Sequence, residues 1–299
     1  MPPPARTRRS RPSPTRRAAA AAAVFALACA AGTALLHIAA VRTAAGQRLD
    51  ERLRGGIDTS EARIRSAGND LLDTVSVTSL TLMGVMIMAG ALARGRPRMA
   101  VGAGLVVLGA NITTQVMKSR LERPALTDAW WDGAGSYPSG HATVAMSLAM
   151  ALVLVAPTAL RLPLAIVGGA YALGVGVAVI GLDWHRPSDV LGAYLVAGAW
   201  TGAVAAALTL WPDRAPGGRA REERARAWGI GIAVVLAGVL GVVLVRAAGD
   251  PELTRLAADR TGLIIAGALC SVAGAVLLAI VVSLTGRGPA ASAAAPRRR

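Results

Sequence analysis

The chain of 299 residues holds three histidines, and two of them stand where phosphoryl chemistry could be done. His185 lies in Asp183-Trp184-His185-Arg186-Pro187-Ser188-Asp189. Pro187 suits the first position of a helix, which puts Asp189 in that helix's first turn, four residues after His185. A carboxylate there reaches back to one ring nitrogen, fixes the tautomer and leaves the other nitrogen free to attack. His141 lies in Tyr137-Pro138-Ser139-Gly140-His141-Ala142-Thr143, at the end of a polar loop and the start of an apolar run. Ser139 is a good N-cap, Pro138 stiffens the entry, and Gly140 lets a ligand come close to the backbone. The free N–H groups and positive dipole end of such a helix favour an anion, above all a phosphate. His141 adds a proton donor at the same place.

Two cations precede these stretches. Asn111, Gln115 and Lys118 fall at i, i+4 and i+7, on one face of a helix. Polar groups at membrane depth face a cavity or another helix. Here the stripe runs toward Lys118, which points to a site. Lys118 is the one lysine among 32 Lys+Arg residues, and an ammonium is a more compact charge than a guanidinium. In Lys118-Ser119-Arg120-Leu121-Glu122-Arg123-Pro124, Pro124 disfavours helix at Arg123. Arg123 therefore leaves the helix axis and can turn back beside Lys118.

These residues need elements to hold them, and the composition says which. Hydrophobic residues make up 54% of the chain, and mean hydropathy is +0.51, far above soluble domains. A bilayer core needs about 20 apolar residues in a helix. Eight runs qualify: 18–41, 74–93, 99–117, 142–160, 162–182, 190–210, 228–245 and 261–284. The first is too long for a signal-peptide core of about 7–15 residues and reads as an uncleaved anchor. The expected fold is all-α, a polytopic membrane bundle. Six helices span 18–211, a loop covers 212–227, and 228–285 forms a C-terminal two-helix hairpin. Residues 1–17 and 286–299 are basic tails, expected to be disordered and cytoplasmic.

The net charge of +15 is not spread over a folded surface, which argues against nucleic acid. With the N-terminus inside, the cytoplasmic pieces hold 19 basic residues and three acids, and the outer pieces 13 basic residues and 14 acids. That asymmetry places both termini in the cytoplasm and 118–141 and 183–189 outside. The protein is then a multi-pass protein of the cell membrane whose partner is the lipid bilayer. Segment 42–73 reads as an outer loop of mixed charge, with a weakly marked amphipathic helix from Ile57 to Leu72. Trp130 and Trp131 read as interfacial aromatics, His37 as a packed residue, and Cys29 and Cys270 as small buried hydrophobes.

Lys118 to Arg123-Pro124, then Pro138-Ser139-Gly140-His141, then His185 with Asp189 resemble the three signature motifs of the type 2 phosphatidic acid phosphatase superfamily, the lipid phosphate phosphatases. The resemblance covers roughly residues 70–211. It implies that His185 is the nucleophile and forms a phosphohistidine, that Asp189 orients it, and that His141 protonates the leaving oxygen and later helps activate water. Lys118, Arg123, Ser139 and the Gly140 backbone would hold the phosphate. It implies no metal and no cofactor, and a lipid phosphate or polyprenyl pyrophosphate as substrate.

The chain departs from the pattern twice. Four residues separate Lys118 from Arg123, where the family usually has six. Val179 stands six residues before His185, where the family usually has an Arg. Arg186 could supply that charge as a phosphate ligand, or bind lipid head groups at the interface. Other readings are a transporter or scaffold that keeps an anion site without catalysis, a zinc enzyme on His141, His185 and Asp189, and a haloperoxidase relative. No H-E-x-x-H or Cys-pair spacing supports the zinc reading, and the many spans disfavour the last.

Overall fold

The computed structural model describes residues 13–54, 62–127, 135–211 and 261–286. These fold into α1 (Pro14–Leu36), a π-helical turn (His37–Val41), α2 (Ala44–Arg54), α3 (Ala62–Asp73), α4 (Val77–Ala93), α5 (Pro97–Arg120), α6 (Gly140–Val155), α7 (Arg161–Gly181), α8 (Pro187–Leu210) and α9 (Thr261–Gly286). No strand occurs among them. Five helical stretches among the described residues are long and apolar enough to cross a membrane: Thr15–Val41, Pro97–Arg120, Thr158–Gly181, Pro187–Leu210 and Gly267–Leu284. Val77–Ala93 and Gly140–Val155 are apolar but shorter. The protein is a multi-pass membrane protein with an all-helical fold. The expected run 228–245, the loop 212–227, Trp130 and Trp131 lie outside the described residues, as do most of both tails.

Local chemistry explains the ends. Ser13 accepts from the N–H of Arg16 at 3.3 Å, and Pro14 takes the first helical position. This cap starts α1 at Pro14, so residues 14–17, expected as part of a disordered tail, are helical. Ala156 precedes Pro157 and is extended (φ −60°, ψ 145°), which ends α6 at Val155 rather than at 160. At the end of α7, Asp183 adopts a left-handed conformation (φ 63°). Its N–H donates to the Ile180 carbonyl, and that of Trp184 to the Val179 carbonyl. These are the two bonds of a Schellman ending, with Asp where Gly is usual.

The most buried helix is α6, whose Ala145, Met146, Ala149, Met150 and Val153 are all within 4% exposure. It packs against α4, α5, α7, α8 and α9, and α1 lies along α8. Tyr194 of α8 donates to the Ala172 carbonyl of α7 at 3.0 Å. Against α7 and α8 lies α9, with Cys270 Sγ 3.8 Å from the Pro187 carbonyl. Cys29 and Cys270 are both buried, unpaired thiols, as expected.

Segment 42–73 differs from the expected loop. It holds α2 and α3; α3 is described from Ala62, and residues 57–61 of the expected helix lie outside the described residues. The chain doubles back from α1 into α2 so tightly that a Cβ on Gly46 would lie 2.1 Å from the Ala39 carbonyl oxygen. Only glycine fits that approach. Thr43 accepts from the Gly46 N–H at 3.0 Å and caps the new helix. The turn lays α2 across the end of the bundle where α1, α5 and α7 finish and α6 and α8 begin.

Candidate active site

One carboxylate organises that end. Asp189 is fully buried, in the first turn of α8. Its Oδ2 accepts from the backbone N–H of Arg186 at 3.1 Å and lies 3.4 Å from His185 Nδ1. Its Oδ1 accepts from Arg123 Nη2 at 3.2 Å. Its backbone carbonyl accepts from the N–H of Ser139 at 2.9 Å. One residue thus ties together the three stretches that the sequence singled out. A proton on His185 Nδ1 faces this carboxylate and leaves Nε2 with its lone pair. The His185 N–H donates to the Val179 carbonyl at 3.0 Å, so the Schellman ending of α7 sets where the ring stands.

Ser139 begins α6 as its N-cap, and its hydroxyl accepts from the Ala142 N–H at 3.4 Å. Thr143 braces the turn by donating to the Ser139 carbonyl at 2.7 Å, and it meets Thr114 of α5 at 3.0 Å. A Cβ on Gly140 would stand 3.7 Å from Lys118 Nζ and 3.8 Å from Gln115 Nε2. The polar face of α5 therefore ends against the start of α6. Further along that face, Asn111 makes the interhelical contact, donating to Ser147 Oγ at 3.3 Å. His141 is half-buried, its ring 5.6 Å from that of Trp184, within electrostatic reach of His185 and Lys118.

The chain leaves α5 before Pro124, as expected. Helix ends at Arg120, and Leu121 is extended. Arg123 is buried at 5% exposure, next to Asp189. The returning chain passes close to α5, since a Cβ on Gly135 would lie 2.4 Å from the Lys118 carbonyl oxygen.

The sequence reading missed the contribution of α2. Gln47 donates to the carbonyls of Val41 (2.8 Å) and Pro124 (2.7 Å) and accepts from the Leu126 N–H (3.3 Å), which pins the Arg123 segment. Asp50, 4% exposed, accepts from both the N–H and the hydroxyl of Ser188 and lies 3.7 Å from Arg123 Nη2. Burial pushes its carboxyl up to about 6, helped by the charge of Asp189 and opposed by Ser188 and Arg123. Glu51 takes Arg186, with its Oε1 2.7 Å from Nε and 2.6 Å from Nη2. Arg54 bridges Glu51 at 2.8 Å and Asp183 at 3.0 Å. Arg186 is thus buried against an acid beside the nucleophile candidate. Burial also pushes the Tyr137 phenol upward, with Asp189 and Asp50 adding to the effect. A signal was present: Gln47, Asp50, Glu51 and Arg54 recur at i, i+3, i+4 and i+7, one face of a helix.

The arrangement offers a ring nitrogen whose Nδ1 faces a carboxylate, a second imidazole, several cations and a helix N-terminus at one end of the bundle. Such a set can bind a phosphate and transfer its phosphoryl group. Among the described residues, no three His, Cys, Asp or Glu side chains gather as a metal-ligand set.

Residues 99–213 match the family model described as the PAP2 superfamily. Among solved structures, the crystal structure of the first transmembrane PAP2 type phosphatidylglycerolphosphate phosphatase from Bacillus subtilis is similar to this chain, with a TM-score of 0.49 and 21% identity, over 60% of this chain and 94% of that one. No curated protein matches the sequence.

Proposed function

We propose, on the premise that the chain belongs to the PAP2 superfamily through residues 99–213, that it is an integral membrane phosphatase of lipid phosphates or pyrophosphates, working through phospho-His185 without a metal. The observation that carries this reading is the convergence of Arg123, Ser139 and His185 on Asp189. The match contains every one of these residues.

In the proposed reaction, Nε2 of His185 attacks phosphorus in line with the leaving oxygen, whose bond to phosphorus breaks as the new N–P bond forms. Asp189 keeps the proton on Nδ1 and stabilises the charge that develops on the ring. His141 protonates the leaving lipid oxygen. It then takes a proton from water, which attacks phospho-His185 and releases inorganic phosphate. Lys118, Arg123, Ser139 and the Gly140 N–H hold the equatorial oxygens, where negative charge is spread in the transition state. Arg186 joins them once it exchanges Glu51 for a phosphate oxygen.

The substrate classes that fit are phosphatidic acid, phosphatidylglycerol phosphate and polyprenyl pyrophosphate. Purified protein offered each lipid in turn should release phosphate from at least one. His185→Ala should lower kcat by several orders of magnitude, since only binding and electrostatic contributions remain. Activity that survives this substitution but disappears with a chelator overturns the mechanism.

The basic residues favour cytoplasmic termini and an extracytoplasmic site. The site lies at the end of the bundle away from Pro14, where α1 finishes. Ala125 is exposed beside it, and the two native cysteines are buried. Ala125→Cys should react with an impermeant thiol reagent in intact cells; labelling only after lysis reverses the orientation.

A further inference from the structure

The family match begins at residue 99, yet the site is completed by α2, some fifty residues earlier. We propose that Asp50 is a positioning residue of the phosphatase site, which seats the first turn of α8 and shares Arg123 with Asp189. This rests on the reading of His185 and Arg123 given above.

The geometry supplies the role. Ser188 is the second residue of α8, and its N–H has no partner within its own helix. Asp50 Oδ1 accepts it at 3.2 Å, from a helix 138 residues away in sequence. The Ser188 hydroxyl donates to Oδ2 of the same carboxylate. The start of α8 is therefore capped twice, by Asp189 on the Arg186 N–H and by Asp50 on the Ser188 N–H. Between the two carboxylates lies Arg123 Nη2, 3.2 Å from Asp189 and 3.7 Å from Asp50. A guanidinium between two acids is fixed in direction, and Asp189 in turn faces His185. Moving Asp50 alters where Arg123 points and where α8 starts, hence the bearing of the nucleophile. Asp50 itself stays one residue removed from the phosphate.

Ionisation governs how well Asp50 does this. As a carboxylate it accepts twice from Ser188 and attracts Arg123. Once protonated, it loses the charge that draws Arg123 and gives up part of its capacity to accept. Burial places that change at about pH 6. The groups that face it are Arg123 from the segment after α5, Asp189 and Ser188 from α8, Tyr137 from the loop before α6, and Cys270 from α9. Hence kcat should rise as pH increases through about 6.

The test compares wild type, Asp50→Asn, Ser188→Ala and His185→Ala, using whichever lipid of the panel releases phosphate. It measures kcat and KM from pH 5 to 8. Asp50→Asn should lower kcat about tenfold, change KM less than twofold, and lack the step near pH 6. Ser188→Ala removes one donor to Asp50 and keeps the carboxylate. Its step should move up by roughly half a unit to one unit, a shift that mere loosening of the fold does not produce. Where Asp50→Asn fails to fold, the Ser188→Ala step alone decides. A wild-type kcat in Asp50→Asn, or an unmoved step in Ser188→Ala, overturns the inference. If the wild type releases no phosphate, or His185→Ala matches it, the functional reading itself falls and takes this one with it.

Discussion

Two helices begin at the site, and they begin differently. At the start of α8 an acid stands in the first turn, Asp189, and a second acid, Asp50, is brought from α2. The positive end of that helix is answered by fixed carboxylates. At the start of α6 no acid stands in the first turn. Ser139 caps it with a neutral hydroxyl, and Lys118 adds a positive charge next to Gly140. One helix end is closed by the protein's own anions, and the other carries none in its first turn, which suits it to the proposed phosphate. In the proposed reaction, the first holds the nucleophile in place and the second receives the phosphate that it attacks.

The contrast breaks most severely at Asp189. Asp189→Asn removes one of the two charges at the start of α8, an ion-pair partner of Arg123 and the charged acceptor for His185 Nδ1. Breaking a buried ion pair costs about 3–5 kcal/mol, and loss of an orienting carboxylate lowers turnover by up to about 10⁴-fold. We expect kcat lower by roughly 10³-fold together with a lower melting temperature, measured on the purified protein in detergent. A variant with near-normal kcat would mean that the α8 end does not orient the nucleophile.

The α6 end is sharpened by Gly140→Ala. The added Cβ meets Lys118 and Gln115 at ordinary contact distances of 3.7 and 3.8 Å, so the fold should hold. Alanine also favours helix over glycine by about 1 kcal/mol. We expect an unchanged or slightly higher melting temperature, while kcat/KM drops about tenfold because the methyl group stands where a phosphate oxygen would approach. Unchanged kcat/KM would remove this helix start from the phosphate site.

The smallest effect concerns which side of the contrast Arg186 serves. Glu51 holds it now. If Arg186 turns to phosphate during turnover, Glu51→Gln weakens the competitor and KM should fall two- to threefold with kcat unchanged. A raised KM would assign Arg186 to the carboxylate side, as a strut between α2 and α8.

Much of this was legible in the sequence. Seven of the eight apolar runs correspond to α1 and α4 to α9; the eighth, 228–245, lies outside the described residues. Pro124 marked the end of α5, Ser139 the cap of α6, and Pro187 the start of α8. These are local effects, decided by residues one to four apart. The role of α2 was not legible, although its polar face had helical spacing. Segment 42–73 carries both signs of charge, and such a stretch reads as solvated loop. Nothing local reveals that Asp50 meets Ser188, or that Gln47 accepts the turn after Pro124. For Arg186 the sequence suggested phosphate or lipid as partner. The acid that holds it, Glu51, lies 135 residues earlier.

Those separations bear on how the molecule assembles. Ser188 meets Asp50 across 138 residues, and Arg123 meets Asp189 across 66. Contacts between such distant segments form late, because the intervening chain must be gathered first. Each helix satisfies its backbone alone, so the spans can enter the bilayer one after another as they are made. The knot on Asp189 cannot close until α8 has followed. Until then Arg123, Asp50 and Glu51 lack Asp189, Ser188 and Arg186 as partners, so the proposed centre would still be incomplete when the earlier spans are made.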